Sequence, residues 1–317
     1  MENENQDQNN ELNEMLEDDN HLRKLPEPKL PPLSAALLGL LGVFILYQFG
    51  GGLLIVSILG FDFTSNIMAF RILTIFGQFL FIFLPALILC KMVYDNIGSV
   101  IRLKYPDWKE IFVFAFGLIL LNIALQSYLY IQNFLLTKLA AAVPFISDAK
   151  NLLDQFDKNI EESYSKLLIS NSASEALLVI LVVAVTPAIC EEVFFRGYVQ
   201  RTFEMRYTAF KSALFTGIFF GLYHFHPYQI FPLVALGLYF GYAVYKSDSI
   251  FVPITLHFLN NFIAIMMFFF IGKQDFSTPA VISVSEFQLS LFLFAALTIL
   301  FILLMVFFNR NYYRYSK

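Results

Sequence analysis

Residues 174–201 read SEALLVILVVAVTPAICEEVFFRGYVQR, an apolar run without alternation that carries Glu191, Glu192 and Arg196 in its second half. Crossing a hydrocarbon core of about 30 Å as a helix takes about 20 mostly apolar residues. A barrel strand would be about half as long and would alternate in polarity. The stretch therefore reads as a spanning helix that takes charges into the bilayer with it. Ionisable groups at that depth are costly, and they usually mark a functional cavity.

The same reading extends outward over the chain. Of 317 residues, 58% are hydrophobic and only 15% charged, with a mean hydropathy of +0.64, which leaves too little polar surface to cover a soluble globule. Eight segments are expected to span: approximately 33–59, 71–94, 109–131, 174–201, 208–224, 229–245, 251–271 and 287–308. The predicted fold class is all-α, a polytopic membrane bundle of about eight transmembrane helices. Residues 1–32 are expected to form an acidic, solvated tail and a Pro-rich approach to the membrane. Within 1–29, nine acids stand against Arg23, Lys24 and Lys29, a net of −6, so a chain whose total is −4 has about +2 elsewhere. That balance excludes a basic nucleic-acid-binding surface. Cys90 and Cys190 both lie in apolar runs, which excludes a disulfide framework and a thiolate metal cage. With the N-terminus inside, fourteen Lys and Arg residues flank the spans on the inner side against six on the outer, so both termini are expected in the cytoplasm. The outer loop 138–175 is expected to include an amphipathic surface helix. The chain thus divides into the tail at 1–32, N-terminal membrane helices and outer loop at 33–173, core helices at 174–271, and a last span with a basic end at 272–317.

Three polar positions within the apolar spans converge. Glu192 and Arg196 are four residues apart, share a helix face and are expected to pair, whereas Glu191 points about 100° away and is the freer carboxylate. The same spacing also fits a helix end emerging into water with a solvated pair. His224 closes the motif Phe220-Gly-Leu-Tyr-His224. If 191 and 224 lie on two arms of a hairpin, equal depth requires a turn between Tyr207 and Thr208, inside the charged interruption Arg201 to Lys211. With about 16 residues in each arm, both groups would sit about 24 Å from that turn. His226, followed by Pro227, faces elsewhere and is expected to cap the helix exit. His257 and Asn261 are one helical turn apart on one face, with Asn260 an alternative that spacing does not separate from Asn261. Interhelical hydrogen bonding is the ordinary reading of such a pair. Together these groups make an inventory for amide hydrolysis. Glu191 and His224 would hold and deprotonate a water, His257 and Asn261 would donate to the oxygen that becomes negative, and Glu192 with Arg196 would keep Glu191 ionised.

Taken in order, Glu-Glu-x-x-x-Arg at Glu191, Glu192 and Arg196, Phe-x-x-x-His at Phe220 and His224, and His-x-x-x-Asn at His257 and Asn261 cover about residues 174–271. In these motifs the chain resembles the CPBP family of intramembrane proteases, which covers CAAX prenyl proteases and bacteriocin-processing or self-immunity enzymes. The resemblance implies a CAAX-protease-like multi-helix fold and a catalytic cavity open toward the cytosol. It also implies water activation by Glu191 and His224, with an oxyanion site at His257 and Asn261. Family members are described both as metalloproteases and as metal-free glutamate-dependent proteases. A Zn²⁺ ion would take Glu191, His224 and His257 as ligands, but the motif His-Glu-x-x-His is absent, and the reading without metal or other cofactor is preferred. The expected partners are membrane lipid and a protein or peptide substrate, prenylated or bacteriocin-like, with no nucleic acid. Two other readings stay open: a non-proteolytic immunity or scaffold protein that keeps the constellation for packing, and a proton-coupled transporter.

Overall fold

A computed structural model describes residues 28–60, 66–94, 97–271 and 282–315, so the acidic tail expected at the N-terminus falls almost wholly outside the described residues. The chain is a helical bundle with helices α1 (Pro32–Leu59), α2 (Ile67–Tyr94), α3 (Ile97–Ile101), α4 (Trp108–Ala142), α5 (Pro144–Leu168), α6 (Ala173–Glu204), α7 (Ala209–Tyr223), α8 (Ile230–Ser247), α9 (Phe251–Ile271) and α10 (Val284–Tyr315). Among the described residues, the strand-like pairing is confined to an isolated bridge between Leu103 and Ser249.

Seven of these helices are long and apolar enough to cross a membrane, and the chain is an integral, multi-pass membrane protein. The remaining expected span, 208–224, is the shorter α7. Its 15 residues rise only about 22 Å, less than the hydrocarbon core. It stops because Phe225 takes a left-handed backbone with φ 52°, which the helix cannot continue through. The outer loop expected at 138–175 is mostly helical: α4 runs on to Ala142 and α5 follows after Val143. α5 alternates charged residues with exposed Phe145, Leu152 and Phe156, as an interfacial helix does.

Several spans contain π-helical turns, at 46–51 in α1, 79–83 in α2, and 181–185 and 193–199 in α6. The one in α1 includes Gly50 and Gly51, and a Cβ at Gly50 would lie 3.1 Å from the Phe81 ring of α2. The turn at 181–185 precedes Pro187, which lacks the N–H that would otherwise take the Val183 carbonyl.

Glycines set the closest helix pair. A Cβ on Gly237 of α8 would fall 2.7 Å from the Gly217 Cα of α7, and one on Gly221 would fall 2.8 Å from the Val234 side chain. Small residues let the two backbones touch, which is how helices gain contact where lipid removes most of the hydrophobic drive. At the end of the bundle that carries α3, Arg102 pairs with Glu204 and with Asp248 (3.2 Å), and Arg201 also reaches Glu204 (3.4 Å). These contacts tie α3 to the ends of α6 and α8. α5 lies at the opposite end.

Gly237→Val is expected to lower the unfolding free energy in detergent by about 3 kcal/mol or more, because backbone rather than a flexible side chain stands in the way. Gly42→Ala, which meets nothing within 4 Å, should leave thermal unfolding unchanged or slightly raised.

Candidate active site

The turn between α6 and α7 falls at 205–208, with Thr208 capping α7, so the two helices form the hairpin expected from the spacing. It brings His224, the C-cap of α7, to Glu191 in the middle of α6: Nε2 and Oε2 are 3.9 Å apart. The His224 Nδ1–H donates to the Phe220 carbonyl at 2.7 Å. That bond fixes the tautomer and leaves Nε2 as an acceptor directed at a second acceptor, the Glu191 carboxylate. Two acceptors at 3.9 Å cannot bond each other, and the gap suits one water donating to both. Glu191 Oε2 is buried and has no hydrogen-bond partner, while the side chains as wholes stay 15% and 23% exposed. The site is therefore wettable without being open.

Beneath this pair lies a denser cluster. Glu192 and Arg196 are both 0% exposed and pair at 2.8 Å, so the helix-face reading holds and its solvated alternative does not. Arg196 Nη2 donates to the Gly237 carbonyl at 3.0 Å, which the glycine contact between α7 and α8 holds in reach. The guanidinium packs over Phe220, Phe240 and Phe195, at 4.5, 5.3 and 5.9 Å from their ring centres. Glu192 Oε1 also accepts from His257 Nδ1 at 2.8 Å, and the His257 ring stacks on Phe240. The Glu192–Arg196 pair is thus the joint between α6, α8 and α9. Sequence spacing shows only the pairing itself, because the contact of Arg196 with Gly237 and that of Glu192 with His257 come from helices more than forty residues away.

Asn261 is engaged elsewhere. Its Nδ2 donates to the Val183 carbonyl at 2.9 Å, the carbonyl orphaned by Pro187, and its Oδ1 accepts from Asn260. Asn260 and Asn261 therefore act together in this arrangement, and Asn261 is drawn toward the π turn of α6. His226 turns to α5, where Asp157 stands 3.4 Å from its Nδ1, and Tyr228 donates to Asp154 at 2.5 Å. These bonds fasten α5 across the loop that follows His224. Tyr164 of α5 packs on the His226 ring and lies near enough to Glu191 to sense its charge, as does Tyr47 of the π turn in α1. Tyr228, Tyr164 and Tyr47 are marked by no motif. The glycine run beside Tyr47 is the one local signal for it.

Among the described residues, no three His, Cys, Asp or Glu side chains converge at metal-ligand spacing. Glu191, His224 and His257 are not gathered at that spacing in this arrangement, and the Nδ1–H bonds of the two histidines leave each Nε2 free.

Residues 173–263 match the family model described as type II CAAX prenyl endopeptidase Rce1-like. The chain carries an Rce1-like segment. The match runs from the start of α6 into α9 and contains every motif residue named above. The match is to a family of CAAX-type endopeptidases, and it supports a peptidase reading at that level. No curated protein and no solved structure gave a match.

Because Glu192 and Arg196 are fully withdrawn from solvent, Arg196→Met is expected to cost about 3–5 kcal/mol by leaving an uncompensated buried carboxylate. The double variant Glu192→Leu/Arg196→Met should recover much of that loss in thermal unfolding of the detergent-solubilised protein, even with activity absent.

Proposed function

We propose that the chain is a glutamate-dependent intramembrane endopeptidase whose substrate is a membrane-associated or lipidated protein or peptide. The observation that carries the reading is the opposition of two acceptors, Glu191 Oε2 and His224 Nε2, at 3.9 Å. A water held by both gives a proton to this pair as its oxygen attacks the scissile carbonyl carbon. The carbonyl oxygen becomes an oxyanion, and the proton is returned to the leaving nitrogen as the C–N bond breaks. The products are a carboxylic acid and an amine, and no step runs through a metal.

His257 and Asn261 are the oxyanion donors in this proposal. With Nδ1–H given to Glu192 at 2.8 Å, His257 has Nε2 as its donor toward the oxyanion, which takes both ring nitrogens carrying a proton. The amide of Asn261 has a second N–H beyond the one on Val183. Glu192 and Arg196 are positioning residues that hold His257.

The basic-residue asymmetry supports both termini in the cytoplasm. In that orientation α5 and the His224 loop face the outer side, whereas the family resemblance implies a cavity open to the cytosol. Membrane-impermeant labelling of Asp148→Cys on α5 separates the two. Labelling from outside intact cells is the result expected from the charge distribution, and labelling only after permeabilisation would invert the chain.

The function is tested with the purified chain in liposomes and an internally quenched, farnesylated CAAX peptide. Glu191→Gln and His224→Gln are each expected to lower turnover at least about a hundredfold, with thermal unfolding unchanged. A chelator should leave the wild-type rate intact. Wild-type turnover by Glu191→Gln would remove the proposed base, and loss on chelation restored by zinc would replace the glutamate mechanism with a metal one.

A further inference from the structure

A cavity of about 390 Å³ lies far from Glu191, between the start of α2 and the junction of α5 with α6. Its polar lining is Arg71, Lys166, Glu175 and Asn171, and its apolar rim includes Met68 and Ile169. Arg71 is only 2% exposed. Its Nε and Nη2 donate to the Leu167 carbonyl at 3.1 and 3.0 Å, and Nη2 also reaches the Ile169 carbonyl. These bonds use one edge of the guanidinium. Its Nη1 group has no hydrogen-bond partner among the described residues, so two N–H donors of a buried cation are left for the cavity it lines.

The surroundings favour a particular anion. α2 begins at Ile67 and α6 at Ala173, so two helix N-termini meet at this level, facing the C-terminal carbonyls of α5 that Arg71 ties down. Glu175 accepts from the Asn171 N–H through Oε2, which leaves Oε1 to receive a cation. The cavity thus offers two cations and one carboxylate. Both helices are membrane spans, and the rim residues Met68 and Ile169 are 47% and 51% exposed where acyl chains begin.

We propose that this cavity is a binding site for the headgroup of a zwitterionic phospholipid. Its phosphodiester lies between Arg71 Nη1 and Lys166, and its ammonium lies against Glu175. The phosphate chemistry alone would also suit inorganic phosphate. The apolar rim and the carboxylate are what assign the site to a lipid.

Native mass spectrometry of the full-length, detergent-solubilised chain tests this with phosphatidylethanolamine, phosphatidylglycerol, diacylglycerol and inorganic phosphate as separate probes. One phosphatidylethanolamine is expected to be retained in preference to diacylglycerol. Lys166→Met should weaken both phospholipids by about tenfold, the scale of one charge-assisted hydrogen bond. Glu175→Gln keeps the acceptor for Asn171 and should weaken phosphatidylethanolamine while leaving phosphatidylglycerol unchanged. Arg71→Met also removes the ties to 167 and 169, so these two surface-side variants carry the test. Diacylglycerol binding as tightly as phosphatidylethanolamine would overturn the site, as would indifference to both variants. Inorganic phosphate binding as tightly as the phospholipid would overturn its assignment to a lipid.

Discussion

A carboxylate and a guanidinium that are both shut away from solvent have to satisfy each other, and whatever geometry lets them do so is imposed on everything around them. Here the pair is Glu192 and Arg196, and its remaining valences reach to Gly237 on α8 and His257 on α9. The first contact requires the α7–α8 backbones to touch, which Gly217 and Gly237 permit. The second fixes which face of His257 is left free. One buried charge pair therefore sets the relative placement of the helices that carry Glu191, His224 and His257. A cage of Phe195, Phe220 and Phe240 around the guanidinium keeps water from competing for it.

The irregular turns of α6 belong to the same logic. A regular α-helix satisfies its own carbonyls and leaves nothing for neighbours, whereas π turns and an internal proline release some of them. Asn261 of α9 takes the carbonyl of Val183. The helix that bears the glutamates is thereby stitched to α9 from within the membrane, where each unsatisfied group would cost several kcal/mol. Glu191 stands between the π turns at 181–185 and 193–199, with one buried oxygen unpartnered.

What could be read from the sequence was what depends on short-range periodicity. The pairing of Glu192 with Arg196 follows from a rise of one helical turn, and the meeting of Glu191 with His224 follows from counting residues either side of a charged break. Apolar run length located all eight segments, of which seven are long enough to span and α7 is the shorter one. The bond from His257 to Glu192, the grip of α5 on His226 and Tyr228, and the approach of Tyr47 and Tyr164 all join residues distant in the chain. No spacing rule reaches that far. Asn261 illustrates a middle case, since Pro187 announces an orphaned carbonyl at Val183 while the sequence does not say which side chain will fill it.

The central claim is that Glu191 activates water against a peptide bond inside the membrane. Its most direct test is mass spectrometry of protein termini in membranes from cells producing the wild-type chain or Glu191→Gln at equal levels. The account predicts new C-termini, each with its released fragment, in the first sample and none in the second. Identical termini in both samples would contradict it.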